Sequence, residues 1–436
     1  MPEMTYPELK SLVIGEKVHE GRELYSEIVD SSAPLAAWFN GFLDLIFGRS
    51  LLARHILAFL VLFWQAAFVG IMFADKKAFS ENTYIPSLLY AILLFFSFDT
   101  LTLTPELLGM GFILLALNNL FKEIEFREQR NESIFNLGLY IGMASLFSFS
   151  LFLYLPGTLL ILIFFTRHPV RKYFLLICGF LVPHLLLMSI FYLQDAFWEM
   201  WSYYYVPNLS LKATRYVSSS SLWWLGAFPL LFLLISLFMM NREARLTKYQ
   251  TQLVQSMFFW MIFSFLHLFF AKDIRPQSFI TLLPSLSFFM THSILVIHKK
   301  KFAEIGIWIL LITTVCISYL ARYNAIGVDY SNLLVKDEKL QVDGERVLVL
   351  DEGLNVYKNH AFASPFFNWD LSKQIFGAPD YYENVIKVYL GLTHDPPDVI
   401  RDKEDKLKPF LQRIPELKKR YTRKGDFYII KKSANN

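Results

Sequence analysis

The chain has 436 residues, of which 54% are hydrophobic and only 18% are charged, and its formal net charge is +4. A soluble domain carries about 25% charged residues, so this composition excludes an ordinary soluble protein. The 43 Phe, 22 Tyr and 9 Trp residues favour helices in lipid with aromatic side chains at the interfaces. The two cysteines, Cys178 and Cys316, lie in apolar runs, which excludes a disulfide framework and a thiolate metal site.

The first informative segment is residues 21–50, which sets two carboxylates near a proline directly ahead of the apolar part of the chain. The three residues are Glu27, Asp30 and Pro34. In a helical turn, residues three apart share a face, so the two acids would lie together. An acidic segment at a bilayer surface suits chemistry on a lipid-linked substrate, and a solvated segment that caps a helix is the alternative.

Ten apolar segments can be compared with the roughly 20 residues that are needed to cross a bilayer. Several are shorter than a full span, notably the two that flank Asp99 and the one after Pro156, and short helices of this kind persist where they line a cavity. The sequence therefore predicts a polytopic α-helical membrane protein with about ten transmembrane helices. The segments are 51–74, 85–98, 106–121, 134–153, 157–166, 173–193, 222–240, 253–271, 278–297 and 305–320.

Lysine and arginine in the short connections predict which side of the membrane each connection faces, because cytoplasmic loops are enriched in both residues. Alternate crossings divide the connections into two sets, and the more basic set is expected to face the cytoplasm. The N-terminal segment and everything after Arg322 then face outward. The basic connections are 75–77, 122–130, 167–172, 241–248 and 298–301.

An outward N-terminal segment normally needs a signal or a spanning helix before it. Residues 1–50 contain no apolar run of that length, since the nearest one covers only residues 12–14. We therefore expect that a first transmembrane helix is missing from this sequence, and translocation of the segment without a helix is the alternative.

The change of composition after Arg322 predicts three regions. They are an outer-face N-terminal loop with the acidic motif (1–50), a transmembrane helical domain (51–322) and a soluble domain on the outer face (323–436).

The last region reads as a small α/β domain, and about 110 residues are enough for a core of its own. Strand-like runs occur at 346–350, 399–400 and 427–430, and helix-like runs occur at 381–392 and 406–411. Because the region has no glycine-rich phosphate loop, GxSxG turn or His/Cys cluster, we expect a recognition or packing module over the membrane domain and not a separate enzyme.

The predicted outer loops carry further candidate residues. The segment FDTLTLTPELLG holds Asp99 and Glu106, and Glu106 in a first helical turn also complements the helix dipole. The loop 194–221 carries Arg215 among Trp and Tyr residues, which suit an interfacial belt as well as a substrate wall.

The segment AKDIRPQS places Lys272 and Arg275 before a predicted helix start. A guanidinium beside free backbone N–H groups suits a phosphate or diphosphate. Contact with lipid headgroups is the alternative for both residues.

His184 and His267 lie on apolar helices, where hydrogen bonding within the helix bundle explains them as well as a function does. No HxxxH or HExxH spacing occurs, so a metal site has weak support.

The acidic segment resembles the first outer loop of GT-C glycosyltransferases, in the protein O-mannosyltransferase and aminoarabinose-transferase branch. On that resemblance, Asp30 matches the catalytic Asp of the family and Glu27 matches the acid of its tyrosine–acid pair. Ser31, Ser32 and Ala33 depart from it, because a His and a first Pro often stand there. The matching residues are Glu20 and Gly21, 24–28, Asp30, 33–35, and Phe47 and Gly48.

Later segments extend the resemblance over most of the chain. TPELLG resembles the acid-bearing start of an outer-face helix, which implies a role for Glu106. RPQSFITLLPSLSFF resembles the opening of a late helix that binds the donor phosphate, which implies that role for Arg275. DPPDVI and residues 421–431 resemble the tails of many bacterial members, whereas the family's helix before the acidic loop has no counterpart in residues 1–50.

The resemblance implies a GT-C-like glycosyltransferase, multi-pass in the bacterial inner membrane, that moves a sugar from a polyprenyl-phosphate donor to a glycan, lipid or protein acceptor at the outer face. No cofactor is certain, a divalent cation is left open, and no nucleic acid partner is expected. The implied catalytic residues are Asp30, Glu27 and Glu106, and the implied substrate-binding residues are Arg275, Lys272, Asp99 and Arg215.

Two other functions stay open. One is a non-catalytic membrane scaffold or assembly component whose outer domain binds a partner. The other is a lipid or polymer transporter, which would show internal symmetry, and the sequence shows no repeat between its halves.

Overall fold

A computed structural model describes residues 3–126, 131–166, 169–243, 246–338, 340, 342 and 344–431. Parts of three basic connections named above, residues 127–130, 167–168 and 244–245, lie outside the described residues. The chain forms two compact units. The first comprises Ser50–Ser189 and Ser210–Leu333, and the second comprises Glu3–Arg49, Ile190–Leu209 and Leu334–Asn436.

The α-helices in chain order are α1 (Tyr6–His19), α2 (Pro34–Phe47), α3 (Leu51–Asp75), α4 (Ile85–Leu94), α5 (Pro105–Phe126), α6 (Asn131–Phe147), α7 (Tyr154–Phe165), α8 (Val170–Leu193), α9 (Phe197–Met200), α10 (Val206–Leu209), α11 (Ser219–Glu243), α12 (Lys248–His267), α13 (Leu283–Val296), α14 (Lys300–Arg322), α15 (Trp369–Phe376), α16 (Tyr382–His394), α17 (Lys408–Arg413) and α18 (Pro415–Arg420). The strands are β1 (Thr214–Arg215), β2 (Asp273–Ile274), β3 (Arg346–Val349), β4 (Ala361–Phe362), β5 (Val399–Arg401), β6 (Tyr421–Lys424) and β7 (Phe427–Ile430). Shorter 3-10 turns occur at Phe98–Leu101, Phe149–Leu153, Pro276–Leu282 and Leu354–Lys358, and Trp201–Tyr205 is a π-helical turn.

Each of the ten apolar segments predicted from the sequence is largely helical, which confirms a multi-pass membrane protein. Among the described residues, six helices are long and apolar enough to cross a bilayer: α3, Pro105–Ile124 within α5, α8, Ser219–Arg242 within α11, Pro276–Val296 and α14. Pro34–Phe47, Ile85–Leu94 and Phe149–Phe165 are apolar but shorter. The count of about ten crossings therefore stays a prediction.

Glycine brings two helices of the first unit into backbone contact. A Cβ atom on Gly138 of α6 would collide with the carbonyl oxygen of Leu176 on α8, and one on Gly142 would lie 2.5 Å from the carbonyl oxygen of Phe180. Small residues serve this purpose in membranes, because helices there associate through close packing and not through the hydrophobic effect.

The second unit contains a mixed sheet of five strands in the order β4-β3-β5-β7-β6 among the described residues. Strand β3 runs parallel to β4 and β5, and β7 runs antiparallel to β5 and β6. The apolar run of β3 buries Val347 and Leu348, as expected for a strand covered on both faces. The predicted α/β character of the C-terminal region is confirmed, although strands β4 and β6 and helices α15 and α18 were not anticipated.

The N-terminal region differs from the expected loop, because residues 6–19 and 34–47 form α1 and α2. The Thr5 N–H donates to the Glu8 carboxylate at the start of α1 (2.9 Å), and Pro34 opens α2. Residues 21–33 between the helices are turns and extended backbone, so Glu27 and Asp30 share no helical face. The three predicted domain boundaries stay a prediction, and contacts place 3–49 in the same unit as the C-terminal region.

We predict that Gly138→Leu lowers the thermal stability of the detergent-solubilised protein, because the added side chain forces α6 away from α8. Overpacking of this kind costs about 1–3 kcal/mol or more. Gly226→Leu on α11 is the matched control, since a Cβ atom there meets nothing within 4 Å. Equal melting temperatures for the two variants would contradict the close α6–α8 packing.

Candidate functional site

The residues predicted to act lie in both units. Asp30 and Glu27 belong to the second unit, and Asp99, Glu106, Arg215, Lys272 and Arg275 belong to the first.

In the second unit, backbone hydrogen bonds hold the acidic segment in place. The Val29 N–H donates to the carbonyl of Pro365 (2.8 Å), and the Asn368 N–H donates to the carbonyl of Val29 (3.1 Å). Tyr25 has a φ of +69°, which is an uncommon backbone conformation for a bulky residue, and its hydroxyl donates to the carbonyl of Ser32 (2.8 Å). The segment is therefore an ordered part of the unit.

Asp30 is a buried carboxylate, 2% exposed, with polar partners on both oxygens. Oδ1 accepts from Asn368 Nδ2 (3.0 Å) and pairs with Lys10 Nζ (3.1 Å), and Oδ2 accepts from the Ser32 N–H (2.8 Å). Burial raises the pKa of Asp30, but Lys10, Ser32 and Asn368 together outweigh burial and hold the pKa below its ordinary value. The carboxyl is therefore ionised at neutral pH.

The Glu27 side chain is more accessible than that of Asp30, since about a third of it is exposed. One carboxylate oxygen accepts from Arg22 Nη1 (3.1 Å) and the other from the Glu23 N–H (3.0 Å). The acid pair of the sequence motif is thus divided into one buried and one accessible carboxylate.

In the first unit, the structure brings Arg275 and Glu106 together. Arg275 Nη2 donates to Glu106 Oε2 (3.2 Å), and Arg275 is only 1% exposed. Glu106 occupies the first turn of α5 behind Pro105, and Arg275 immediately precedes Pro276. The pair is an ion pair out of water, where an uncompensated charge is strongly destabilising.

The Arg275 guanidinium keeps unused donors. Its Nε and Nη1 atoms are buried and have no hydrogen-bond partner among the described residues. A buried donor without an acceptor carries a penalty of about 1–3 kcal/mol, and more when the group is charged. The arrangement can bind an anion with the geometry that guanidinium offers to phosphate or carboxylate oxygens.

Asp99 lies in the turn Phe98–Leu101 and is fully buried. Its Oδ2 accepts from the Gln277 N–H (2.9 Å). Burial raises the pKa of Asp99, and Ser97, Arg275 and the Gln277 N–H offset only part of that effect.

Sequence reasoning missed Gln277, whose side chain donates to the carbonyl of Thr102 (2.7 Å) and accepts from the Thr102 hydroxyl (3.1 Å). The available signal was a polar residue directly after Arg275-Pro276 in an otherwise apolar run.

Lys272 and Arg215 make other contacts. Lys272 Nζ donates to the carbonyl of Ser210 (2.7 Å), and burial lowers its pKa. Arg215 is exposed on β1, which pairs in parallel with β2, and its Nη1 lies 3.4 Å from the Ser219 hydroxyl. These contacts join residues 210–215 to residues 272–274.

The two histidines on apolar helices differ in their contacts. His184 Nε2 lies 2.8 Å from the Ser145 hydroxyl, which supports the structural alternative for this residue. Both ring nitrogens of His267 are buried without a partner in the described part of the chain. Across the described residues, no three His, Cys, Asp or Glu side chains group where they could hold a metal ion, and the divalent cation stays an open expectation.

Comparisons with known proteins support the fold. No protein-family model and no curated protein matches this sequence. The chain is similar to the crystal structure of ArnT from Cupriavidus metallidurans bound to undecaprenyl phosphate, with a TM-score of 0.55 and 10% identity over 98% of this chain and 94% of that one. At this identity the likeness shows the fold alone, and that fold is the ArnT-like helical membrane architecture that the resemblance implied.

We predict that Asp30→Asn lowers the melting temperature at neutral pH by the equivalent of about 1–3 kcal/mol, because Lys10 loses its charge partner. The pKa of Asp30 is lowered in the folded protein. Its ionised form therefore stabilises the fold above the ordinary Asp pKa, and this contribution is lost as pH falls through the folded pKa.

The difference in melting temperature between wild type and Asp30→Asn should accordingly shrink between pH 5 and pH 3, as about 3.9 is the ordinary value. Asp370→Asn is the control, because Asp370 pairs with Lys373 at an exposed position. A difference that does not change with pH would contradict the assignment.

Proposed function

We propose that the chain is a GT-C-like glycosyltransferase that transfers a sugar from a polyprenyl-phosphate donor to an acceptor at the outer face of the bacterial inner membrane. The observation that carries this proposal is the Arg275 guanidinium, which is buried while two of its nitrogens lack partners among the described residues. The fold shared with ArnT, whose crystal structure contains undecaprenyl phosphate, supports the same class of donor.

Arg275 is proposed to bind the phosphate of the donor and of the departing lipid. Charge-assisted hydrogen bonds to a phosphate are strongest where water is excluded, and they stabilise negative charge that develops as the sugar leaves. Glu106 fixes the guanidinium through one N–H and leaves the others available. We therefore propose that Glu106 orients Arg275, in addition to the catalytic role that the motif implied.

Asp30 is proposed to act as a general base on an acceptor hydroxyl. An ionised carboxylate offers about four lone-pair sites, and three are occupied by Lys10, Asn368 and Ser32. One site on Oδ2 is left for a proton. The lowered pKa keeps Asp30 ionised, so proton transfer would follow the increase in acidity of the hydroxyl as its bond to the sugar forms.

The remaining residues are proposed to position substrates. Glu27 is accessible and held by Arg22, which suits contact with the acceptor. Lys272 and Arg215 are proposed to contact lipid headgroups or to hold the loops around the donor. Asp99 accepts a hydrogen bond from the Gln277 N–H and so holds the residues after Arg275 in place.

A non-catalytic scaffold is the second candidate. The three partners of Asp30 favour it, since the same contacts would hold the acidic segment in place in a protein without catalytic activity. The experiments below separate the two functions.

We predict that polyprenyl phosphate co-purifies with the protein from bacterial membranes and that Arg275→Gln reduces its amount at least tenfold, as loss of a charged hydrogen bond costs about 1.5–3 kcal/mol. Mass spectrometry of the extracted lipid provides the measurement. Arg242→Gln is the matched control, because this arginine of the first unit is exposed and has no proposed role in binding the donor.

Loss of Arg275 alone leaves Glu106 unpaired, so the double variant Arg275→Gln/Glu106→Gln removes both charges and separates misfolding from loss of binding. Wild-type amounts of polyprenyl phosphate in this double variant would contradict the role of Arg275.

We further predict that Asp30→Asn lowers sugar transfer at least 100-fold, the lower end of what general bases contribute, about 10²–10⁴. Membranes containing the protein are incubated with a panel of radiolabelled polyprenyl-phosphate-linked sugars, and label in the acceptor fraction is counted per folded protein. Asn368→Ser is the control, because serine still caps α15 but cannot donate to Asp30 in the same way. Equal, small losses in both variants would support the scaffold.

A further inference from the structure

The second unit contains a half-open cleft of about 250 Å³, whose lining shares only Glu27 with the residues proposed above to position substrates. Four separate parts of the unit form it: the acidic segment, residues 199–203, residues 365–375 and residues 387–395. The lining residues on which the inference depends are Arg22, Glu27, Glu199, Tyr203, Lys387 and Leu390.

Two unusual backbone features border this cleft. Tyr203 is presented by the π-helical turn Trp201–Tyr205, and such turns occur frequently at functional sites. Tyr25, which also lines the cleft, has the left-handed φ of +69°. Strained backbone of this kind persists where the surrounding structure holds it, and it concentrates at ligand sites.

The charges at the rim balance. Arg22 and Lys387 are cations, and Glu27 and Glu199 are carboxylates. Asp395 also lines the cleft, but Lys17 (3.2 Å), Arg346 and Arg22 (3.8 Å) already engage its carboxylate. Lys387 in turn pairs with Glu383 (2.8 Å), which does not line the cleft. A rim with two charges of each sign does not select a strongly charged ligand.

The rim offers both donors and acceptors. Arg22 is held in position by Glu27 (3.1 Å) and by the carbonyl of His394 (3.2 Å). Glu199 makes no direct hydrogen bond or ion pair with the described residues, although its charge acts on the neighbouring Lys387 and Tyr203. A hydroxyl group is donor and acceptor at once, so neighbouring hydroxyls can bond to the cations and the carboxylates together.

The floor of the cleft is apolar, formed by residues such as Val29, Phe366 and Ile375. Apolar contact combined with a few placed polar groups is the usual composition of a small-molecule site. The volume is below the 300–1,000 Å³ of sites for drug-sized molecules, about the scale of one or two sugar rings.

We propose that this cleft binds a neutral saccharide, with the apolar face of a sugar ring on the floor and its hydroxyls at the rim formed by Arg22, Glu27, Glu199 and Lys387. The site requires no lipid-linked donor and no transfer reaction. Its test is therefore binding alone, and its failure would leave the roles proposed for Arg275 and Asp30 intact.

The full-length protein, solubilised in a detergent without a sugar headgroup, is applied to an array of neutral and anionic glycans. The affinity for the best neutral glycan is then measured by calorimetry. We expect retention of at least one neutral glycan. Leu390→Trp, which fills the cleft from a 43% exposed position, should weaken binding at least tenfold.

Glu199→Gln should weaken binding about tenfold, since it removes a charged acceptor. The matched controls are Tyr382→Trp on the same helix and Glu404→Gln at an exposed position, and both should stay within twofold of wild type. Absence of neutral glycan binding, binding of anionic glycans alone, or wild-type affinity in both Leu390→Trp and Glu199→Gln would overturn the proposal.

Discussion

The ion pair between Arg275 and Glu106 is the constraint on which the arrangement of the first unit's candidate residues depends. A guanidinium that is 1% exposed requires a compensating charge, and Glu106 supplies it at 3.2 Å from the first turn of α5. The bond from the Gln277 N–H to Asp99 adds a second link between the same two parts of the chain. Together they fix the residues before Pro276 relative to the start of α5, so the unused donors of Arg275 have a defined direction.

In the second unit, the buried charge is negative, the carboxylate of Asp30, and it likewise requires a compensating charge. This carboxylate is compensated by Lys10 and bonded by Ser32 and Asn368, and the backbone of Val29 bonds to residues 365 and 368. The segment is thus held by side chains and backbone alike. A solvated capping loop, the alternative drawn from composition, does not describe Asp30, whereas Glu27 retains the accessibility expected of such a loop.

The sequence predicted most of the apolar helices that a bilayer requires, but few of the contacts between residues that are far apart in the chain. Hydropathy located the helices because lipid forces every backbone polar group to bond within its own segment. The apolar run of β3 likewise identified a buried strand. Helix α1 was not predicted because its apolar residues lack clear periodicity, although Thr5 and Glu8 form a capping pattern. Glu106 and Arg275 were both singled out, but no spacing rule pairs residues that are 169 positions apart. Gln277 was missed for the same reason.

The two units carry different chemistry, and the difference bears on function. In the first, Arg275 holds two buried donor nitrogens without a partner among the described residues, which suits an anionic group such as a phosphate. The second holds a small cleft with balanced charges and an apolar floor, which suits a neutral hydroxylated molecule. A scaffold needs neither feature, and an unpaired buried donor is a cost to its stability. The glycosyltransferase proposed above would use the donors that Arg275 leaves unused to bind the lipid phosphate, whereas the cleft would bind its saccharide with or without transfer.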